Sequence, residues 1–260
     1  ISILKAMLGY IDTKNYSYAD FANEVNFHTG GVSSTMGLYP SIDDKDEVQV
    51  MVEVRTRVLA NKLTDARNLL EEMMFTSHFR DWKRLKEVIS ELKSRLQMTL
   101  SGAGHSVASN QAMSYFSKTA AYRNSIRFYE TVNEIESNFE EKKEMLAEKL
   151  ESFLQKIFTS ERLLVSVTCS EEDYAVVEPE ILKLKENLFA DQGIGEPAEF
   201  HFEQKNEGFM DASQVQYVAR AGNYRAHGFA YHGALRILKV ILGYDYLWNQ
   251  VRVKGGAYGC

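Results

Sequence analysis

Cysteine and proline are both scarce in this sequence. The 260 residues include two cysteines, Cys169 and Cys260, and only three prolines. Two cysteines so far apart do not provide the framework of a small disulfide-rich fold, and they suit a reducing compartment. With so few prolines, long helices meet little obstruction along the chain.

An excess of positive charge is also missing, as is any long, uncharged apolar run. The sequence has 30 Lys and Arg against 36 Asp and Glu, a net charge of −6. Phosphate contacts need a basic surface, so this balance argues against a nucleic-acid-binding protein. The most apolar stretch, Gly233 to Trp248, contains three charged side chains and does not predict a membrane span. No secretory leader is evident at the N-terminus, so we expect a protein of the cytoplasm or an organelle matrix without membrane partners.

The hydrophobic periodicity indicates an α+β protein. Ser17 followed by Asp20 predicts a capping box before a helix that Gly30 and Gly31 end. Residues 32–40 favour a strand. In residues 48–54 valine alternates with other residues, which predicts a strand with one buried face.

Helices are predicted over much of the remaining chain. One helix is predicted at about 64–78. Asp81 is expected to cap the next helix, which ends at Gly102. Two or three more helices are expected within 106–158. A helical connector follows at 171–190, and Pro179 is expected to break it or to mark its start.

Further strands and a second unit are predicted towards the end of the chain. Residues 233–250 predict a long apolar helix. The predicted strands in this part of the chain are 162–169, 198–204, 214–221 and a strand beginning in 255–260.

The predicted organisation has three parts. Residues 1–172 form an α+β unit with an antiparallel-rich sheet packed against helices, and residues 173–197 form a helical connector and loop. Residues 198–260 form an incomplete second α+β unit. Because this unit is incomplete and the chain starts at Ile1, we expect a segment of a longer protein.

Metal-binding and nucleotide-binding motifs are absent. The six histidines include no H-E-x-x-H or H-x-x-E-H pair, so the sequence predicts no metal site built by this chain alone. The glycines at 102 and 104 are not followed by Gly-Lys-Ser/Thr, as a phosphate-binding loop requires, and they indicate a helix end.

A group of residues at the end of the long apolar helix is more informative about function. Arg252 and Tyr258 flank two glycines, Gly255 and Gly256. The glycines let the backbone turn and approach another chain closely. Arginine can hold a carboxylate or carbonyl, and a tyrosine hydroxyl can donate to a developing oxyanion. From the residues alone, a helix-to-strand turn and a substrate-binding site both remain open.

The stretch Leu247-Trp-Asn-Gln-Val-Arg-Val-Lys-Gly-Gly-Ala-Tyr-Gly259 resembles a signature in the C-terminal half of pitrilysin-type zinc peptidases. The resemblance is to the branch that contains presequence protease and falcilysin. It is strong at 247–259 and looser elsewhere, where residues 28–34 and the strand at 48–54 match the third domain of that branch.

The resemblance implies a fold of four homologous α+β domains in two bowl-like halves. Zinc in such enzymes is bound in the first domain by an H-x-x-E-H helix and a distant glutamate. This chain would be the third domain and the start of the fourth, with the N-terminal catalytic half of the same polypeptide as its partner. Ile3, Ala6 and Met7 would occupy the positions of the zinc ligands and the catalytic base, and none can do either task.

The resemblance also implies roles for the C-terminal residues. Tyr258 would contact the scissile carbonyl and its oxyanion, and Arg252 would hold the substrate backbone, with Gly255 and Gly256 between them. The expected function is degradation of unfolded peptides, such as cleaved targeting peptides, by a zinc metalloendopeptidase whose isolated C-terminal segment is inactive.

Two other functions stay open. Related proteins of this fold serve as noncatalytic subunits of processing peptidases or respiratory complexes, which makes a scaffold role the first alternative. A free-standing peptide-binding module is the second, and it would require this segment to bind peptide by itself.

Overall fold

A computed structural model of the chain describes residues 1–43, 47–193, 199–210, 212 and 214–259. It separates into two units, residues 1–219 and 220–260. The 197/198 boundary predicted above lies outside the described residues, and it stays a prediction, as does the boundary at 172.

The first unit combines helices with one β-hairpin. Two 3₁₀ turns, Ala60–Lys62 and Ser160–Arg162, connect elements of this unit. Its helices and strands are α1 (Ser2–Met7), α2 (Tyr18–His28), β1 (Val32–Pro40), β2 (Val48–Thr56), α3 (Leu63–Phe75), α4 (Trp82–Gly102), α5 (Gly104–Ser114), α6 (Lys118–Tyr122), α7 (Ser125–Ser137), α8 (Phe139–Ile157) and α9 (Glu171–Asn187).

The alternating valines form the strand that they predict. β2 pairs with β1 in an antiparallel register that runs from Val32 opposite Thr56 to Pro40 opposite Val48. Val52 and Val54 are partly buried against the core. On the exposed face Glu53 accepts a hydrogen bond from the Tyr39 hydroxyl. The α+β fold class is confirmed.

Two of the predicted helix caps are present. The Ser17 hydroxyl accepts a hydrogen bond from the Asp20 backbone N–H at the start of α2, at 3.2 Å. The Asp81 carboxylate accepts one from the Arg84 N–H at the start of α4, at 3.0 Å. Each cap satisfies a backbone donor that has no partner within its helix.

The core lies between the hairpin and the long helices of the first unit. Helices α1, α3, α4, α7 and α8 each bury their apolar stripe in it. Burying one such side chain stabilises the fold by about 1.5–3 kcal/mol. The largest fully buried side chains of this core are Leu4, Met7, Ile11, Met73, Phe79, Leu85, Val88, Ile89 and Val132.

Pro179 lies inside α9, which continues through it, so the predicted break or start at this proline is wrong. A proline inside a helix removes one hydrogen bond and costs about 3 kcal/mol. Contacts with α3 offset that cost: the Arg67 guanidinium donates to Glu180 at 2.7 Å and Asn187 donates to Glu71 at 3.1 Å.

Four segments that were predicted as strands are not strands in the structure. A strand needs a neighbour that takes its backbone hydrogen bonds, and among the described residues only β1 and β2 form a ladder. Side-chain alternation indicates which face is apolar, but it does not supply a partner. Ala198 and Cys260 fall outside the described residues. The corrected segments are 162–169, 199–204, 214–221 and 255–259.

The second unit consists mainly of one helical segment. After a 3₁₀ turn at Tyr224–His227, α10 (Ala234–Ile241) continues directly into a π-helix, Leu242–Lys254. The long helix predicted at 233–250 is therefore present, although its second half has the wider π geometry. None of the described residues in 220–259 is buried.

No helix in the described part of the chain is both long and apolar enough to cross a membrane.

Candidate functional site

The two glycines after the π-helix occupy positions that disfavour other residues. A Cβ on Gly255 would lie 2.5 Å from the Val251 carbonyl oxygen, far inside van der Waals contact. Gly256 has φ +73°, the left-handed conformation that side chains disfavour. Glycine in this conformation just after a helix is the usual way to end it.

Two backbone hydrogen bonds fold the chain back over the end of the helix. The Gly256 N–H donates to the Arg252 carbonyl at 3.0 Å, and the Ala257 N–H donates to the Val251 carbonyl at 3.2 Å. These bonds satisfy carbonyls that a helix end leaves free. As a result Tyr258 returns to the neighbourhood of Arg252.

Arg252 lies against two aromatic rings. Its guanidinium carbon is 4.2 Å from the centre of the Trp248 ring and 5.9 Å from the centre of the Tyr258 ring. Both distances are within the range of cation–π attraction. The structure thus brings together Arg252 and Tyr258, the two residues that the sequence singled out.

The polar groups of this site are available to a ligand. The Arg252 guanidinium makes no hydrogen bond or ion pair with any residue that the structure describes, and Tyr258 is 92% exposed. Stacking uses the faces of a guanidinium and leaves its N–H edges free. The site can therefore donate hydrogen bonds to carbonyl or carboxylate oxygens from both side chains.

Trp248 belongs to this site, and the sequence interpretation assigned it no role. The available signal was spacing, because an aromatic residue four positions before an arginine on a helix lies on nearly the same face. That spacing is common in helices, so the contact needed the structure to be recognised.

Helix α1 does not fit zinc. The resemblance aligns Ile3 and Met7 with the two zinc-binding histidines and Ala6 with the catalytic base. Ala6 and Met7 are buried in the core, and Ile3 packs against it. Zinc in proteins is bound by imidazole, thiolate or carboxylate groups, and these side chains offer none. Across the described ranges, no cluster of three or more His, Cys, Asp or Glu side chains is arranged so that it could hold a metal ion.

His28, which belongs to a segment of the family resemblance, has a contact between helices. Its Nδ1 lies 2.9 Å from the Asp65 carboxylate of α3, and its Nε2 lies 3.3 Å from the Glu24 carboxylate of its own helix. The contact with Asp65 connects α2 to α3, and the contact with Glu24 lies within α2.

Comparison with known proteins gives matches over both parts of the chain. Residues 1–137 match a family model described as peptidase M-16C associated. Residues 206–260 match one described as "PreP C-terminal domain". The second match contains the complete Arg252–Tyr258 site.

Curated relatives match almost the full chain but are much longer. "Protein HypA" of Clostridium perfringens is 33% identical over 100% of this chain and 27% of its own length. "Presequence protease 1, chloroplastic/mitochondrial" of Arabidopsis thaliana is 25% identical over 95% of this chain and 23% of its own length. "Presequence protease, mitochondrial" of Drosophila melanogaster is 24% identical over 97% of this chain and 25% of its own length.

The chain thus spans about a quarter of the length of these relatives. Its similarity to them runs through the core-forming helices and the hairpin as well as the C-terminal site. Since the first family model covers more than half of the residues, this chain belongs to the peptidase M-16C associated family, within the presequence protease branch of the pitrilysin-type peptidases.

Proposed function

We propose that this chain is the substrate-contacting segment of a zinc metalloendopeptidase that degrades unfolded peptides, of the kind produced when targeting peptides are cleaved off. The observation that carries the proposal is the pairing of Arg252 and Tyr258 across the glycine turn, with both polar groups open to a ligand. The presequence proteases among the relatives support the substrate class.

Each residue of the site has a defined task in this proposal. Tyr258 donates its hydroxyl hydrogen bond to the scissile carbonyl and to the oxyanion that forms when water attacks. Arg252 donates to backbone carbonyls of the bound peptide. Gly255 and Gly256 carry no side chains, so the peptide backbone can approach the turn closely.

The rest of the machinery is assigned to another part of the protein. We place zinc in the N-terminal catalytic half of the same polypeptide, which is the proposed partner of this chain together with the unfolded peptide. Consequently the chain alone should neither cut peptides nor bind stoichiometric zinc.

The proposed location is an organelle matrix or the cytoplasm. The names of the Arabidopsis and Drosophila relatives place those proteins in mitochondria or chloroplasts. Cell fractionation with an antibody against this chain would test the assignment, and recovery in the culture medium would contradict it.

The decisive experiment is peptide cleavage, with zinc quantified, on residues 1–260 and on the full-length protein side by side. Activity and zinc in the full-length protein alone would agree with the proposal. Cleavage by neither would favour the scaffold function, and zinc-dependent cleavage by residues 1–260 would contradict the assignment of Ile3, Ala6 and Met7.

The hydroxyl of Tyr258 provides the sharpest single test. Tyr258→Phe in the full-length protein removes one oxyanion donor and keeps the ring beside Arg252, so we expect kcat to fall by about 10²-fold. Steady-state kinetics on an unfolded peptide would measure this.

Tyr244→Phe is the matched control, because Tyr244 is 75% exposed in the same π-helix and lies outside the proposed site. It should leave kcat unchanged. If Tyr258→Phe left both kcat and peptide affinity unchanged, Tyr258 would have no part in the site.

A further inference from the structure

We infer that Trp248 is a positioning residue, which holds the Arg252 guanidinium in place for the peptide; this rests on the function proposed for Arg252. The indole ring lies 4.2 Å from the guanidinium carbon, closer than the Tyr258 ring at 5.9 Å. Both residues belong to the same π-helix, four positions apart, so the helix itself sets their spacing.

An arginine at this position needs such a support. Its long side chain has many rotamers, and no ion pair or hydrogen bond to any described residue restrains its guanidinium. A ring stacked on one face removes much of this freedom and leaves the N–H edges directed away from the ring. The peptide then binds an arginine that is already ordered.

Packing in a core does not explain Trp248. The side chain is 42% exposed, and the surrounding unit has no buried residue in its described part. Within the same ranges, Arg252 is the only cation in contact with the indole, and no other aromatic ring touches it. The role of Trp248 therefore operates through Arg252.

The π-helix agrees with this reading. π-Helical segments are rare, and the single-turn ones inserted in α-helices occur often at functional sites. Here the segment runs from Leu242 to Lys254 and contains both Trp248 and Arg252. Its end is the glycine turn, after which the Tyr258 ring centre lies 5.9 Å from the guanidinium carbon.

Kinetics of the full-length protein on an unfolded peptide will test the inference. Trp248→Ala should raise KM about fivefold, the scale of an exposed cation–π contact, and should change kcat by less than about twofold. Trp248→Phe retains an aromatic face and should restore KM to within about twofold of the original value. Tyr244→Ala removes a more exposed aromatic side chain from the same helix, 75% against 42% for Trp248, and should have no effect.

A double mutant separates positioning from a general structural effect. If Trp248 acts through Arg252, adding Trp248→Ala to Arg252→Ala should cause no further rise in KM. Two outcomes would overturn the inference and leave the proposed function intact. In the first, the double mutant has a KM raised by the product of the two single-mutant effects. In the second, Trp248→Ala has an unchanged KM while Arg252→Ala is impaired. An Arg252→Ala protein with unchanged kinetics would overturn both.

A measurement on residues 1–260 tests the contact without any activity. NMR should show the Arg252 side-chain protons shifted upfield by the indole ring current, and Trp248→Leu should abolish the shift. Unshifted Arg252 signals in the unmutated chain would overturn the inference whatever the kinetic results.

Discussion

At the scale of single residues, glycine geometry determines whether the site exists. Gly256 has φ +73°, and its N–H closes the π-helix onto the Arg252 carbonyl. A side chain at this position is strained in the left-handed conformation by about 1–2 kcal/mol. The turn then loses its favoured geometry, and the Tyr258 ring is no longer held near Arg252.

Gly256→Ala should therefore lower kcat/KM of the full-length protein by about 5- to 30-fold, which corresponds to that strain. Gly259→Ala is the matched control, since Gly259 has no positive φ and a Cβ there meets nothing within 4 Å. Equal kinetics for the two variants would show that the turn at Gly256 does not position the site.

Charge pairing between helices gives a second prediction at this scale. The Lys93 ammonium of α4 donates to the Glu136 carboxylate of α7 at 2.6 Å. This hydrogen bond is the main reason that the pKa of Glu136 is lowered. Glu136 therefore binds a proton more readily in the unfolded chain than in the folded chain. The contact with Lys93 stabilises the fold at neutral pH, and this stabilisation is lost as the pH falls below about 4.3 and through the lowered pKa of Glu136.

Glu136→Gln should lower Tm by about 1–3 °C at pH 7 and by less at pH 3. Thermal unfolding of residues 1–260 at both pH values would measure the difference. Glu130→Gln, on the exposed face of α7 and without an ion pair among the described residues, is the control. A pH-independent difference for Glu136→Gln would contradict this explanation.

At the scale of elements, the cap of α4 makes a testable contribution. The Asp81 carboxylate accepts the Arg84 N–H, one of the backbone donors that the helix leaves without a partner. Asp81→Ala should destabilise the chain by about 1 kcal/mol, which corresponds to about 2–4 °C in Tm.

Asp81→Asn keeps an acceptor at the cap and should retain most of the stability. Thermal unfolding of both variants distinguishes the hydrogen bond from the charge. An equal loss for Asp81→Asn would assign the effect to the charge of Asp81.

Elements held together by local contacts were predictable, and those held by distant contacts were not. The caps of α2 and α4 lie within three residues of the N–H groups that they bind. By contrast, the fate of residues 162–169 depends on whether another strand lies beside them, and α9 passes through Pro179 with support from Arg67, more than one hundred residues away.

At the scale of the whole molecule, burial among the residues that the structure describes is confined to one part of the chain. Every buried residue of the described ranges lies between Leu4 and Val177. Since apolar burial is the main source of folding free energy, residues 220–260 contribute little to thermal stability.

A chain of residues 1–219 should consequently unfold within about 2 °C of residues 1–260. Differential scanning calorimetry on the two chains would measure this. A drop of more than about 5 °C would show that the second unit stabilises the first.

The candidate site was partly within reach of the sequence. Arg252, Tyr258 and the two glycines between them were identified from residue types, spacing and family resemblance. The proximity of Arg252 and Tyr258 could not be predicted, because it depends on two backbone hydrogen bonds and on the left-handed conformation of Gly256. The contact of Trp248 with Arg252 was absent from the prediction for the same reason.

The residue order alone was enough to predict the α+β class, the two strands β1 and β2, the caps of α2 and α4, and the family. These depend on periodicity, on hydrogen bonds over a few residues and on side-chain chemistry, all of which are local. The folded structure was needed to show which segments find a strand partner, how α9 accommodates Pro179 and how Trp248, Arg252 and Tyr258 meet. Those outcomes depend on residues that are brought together by folding, and spacing along a chain does not record them.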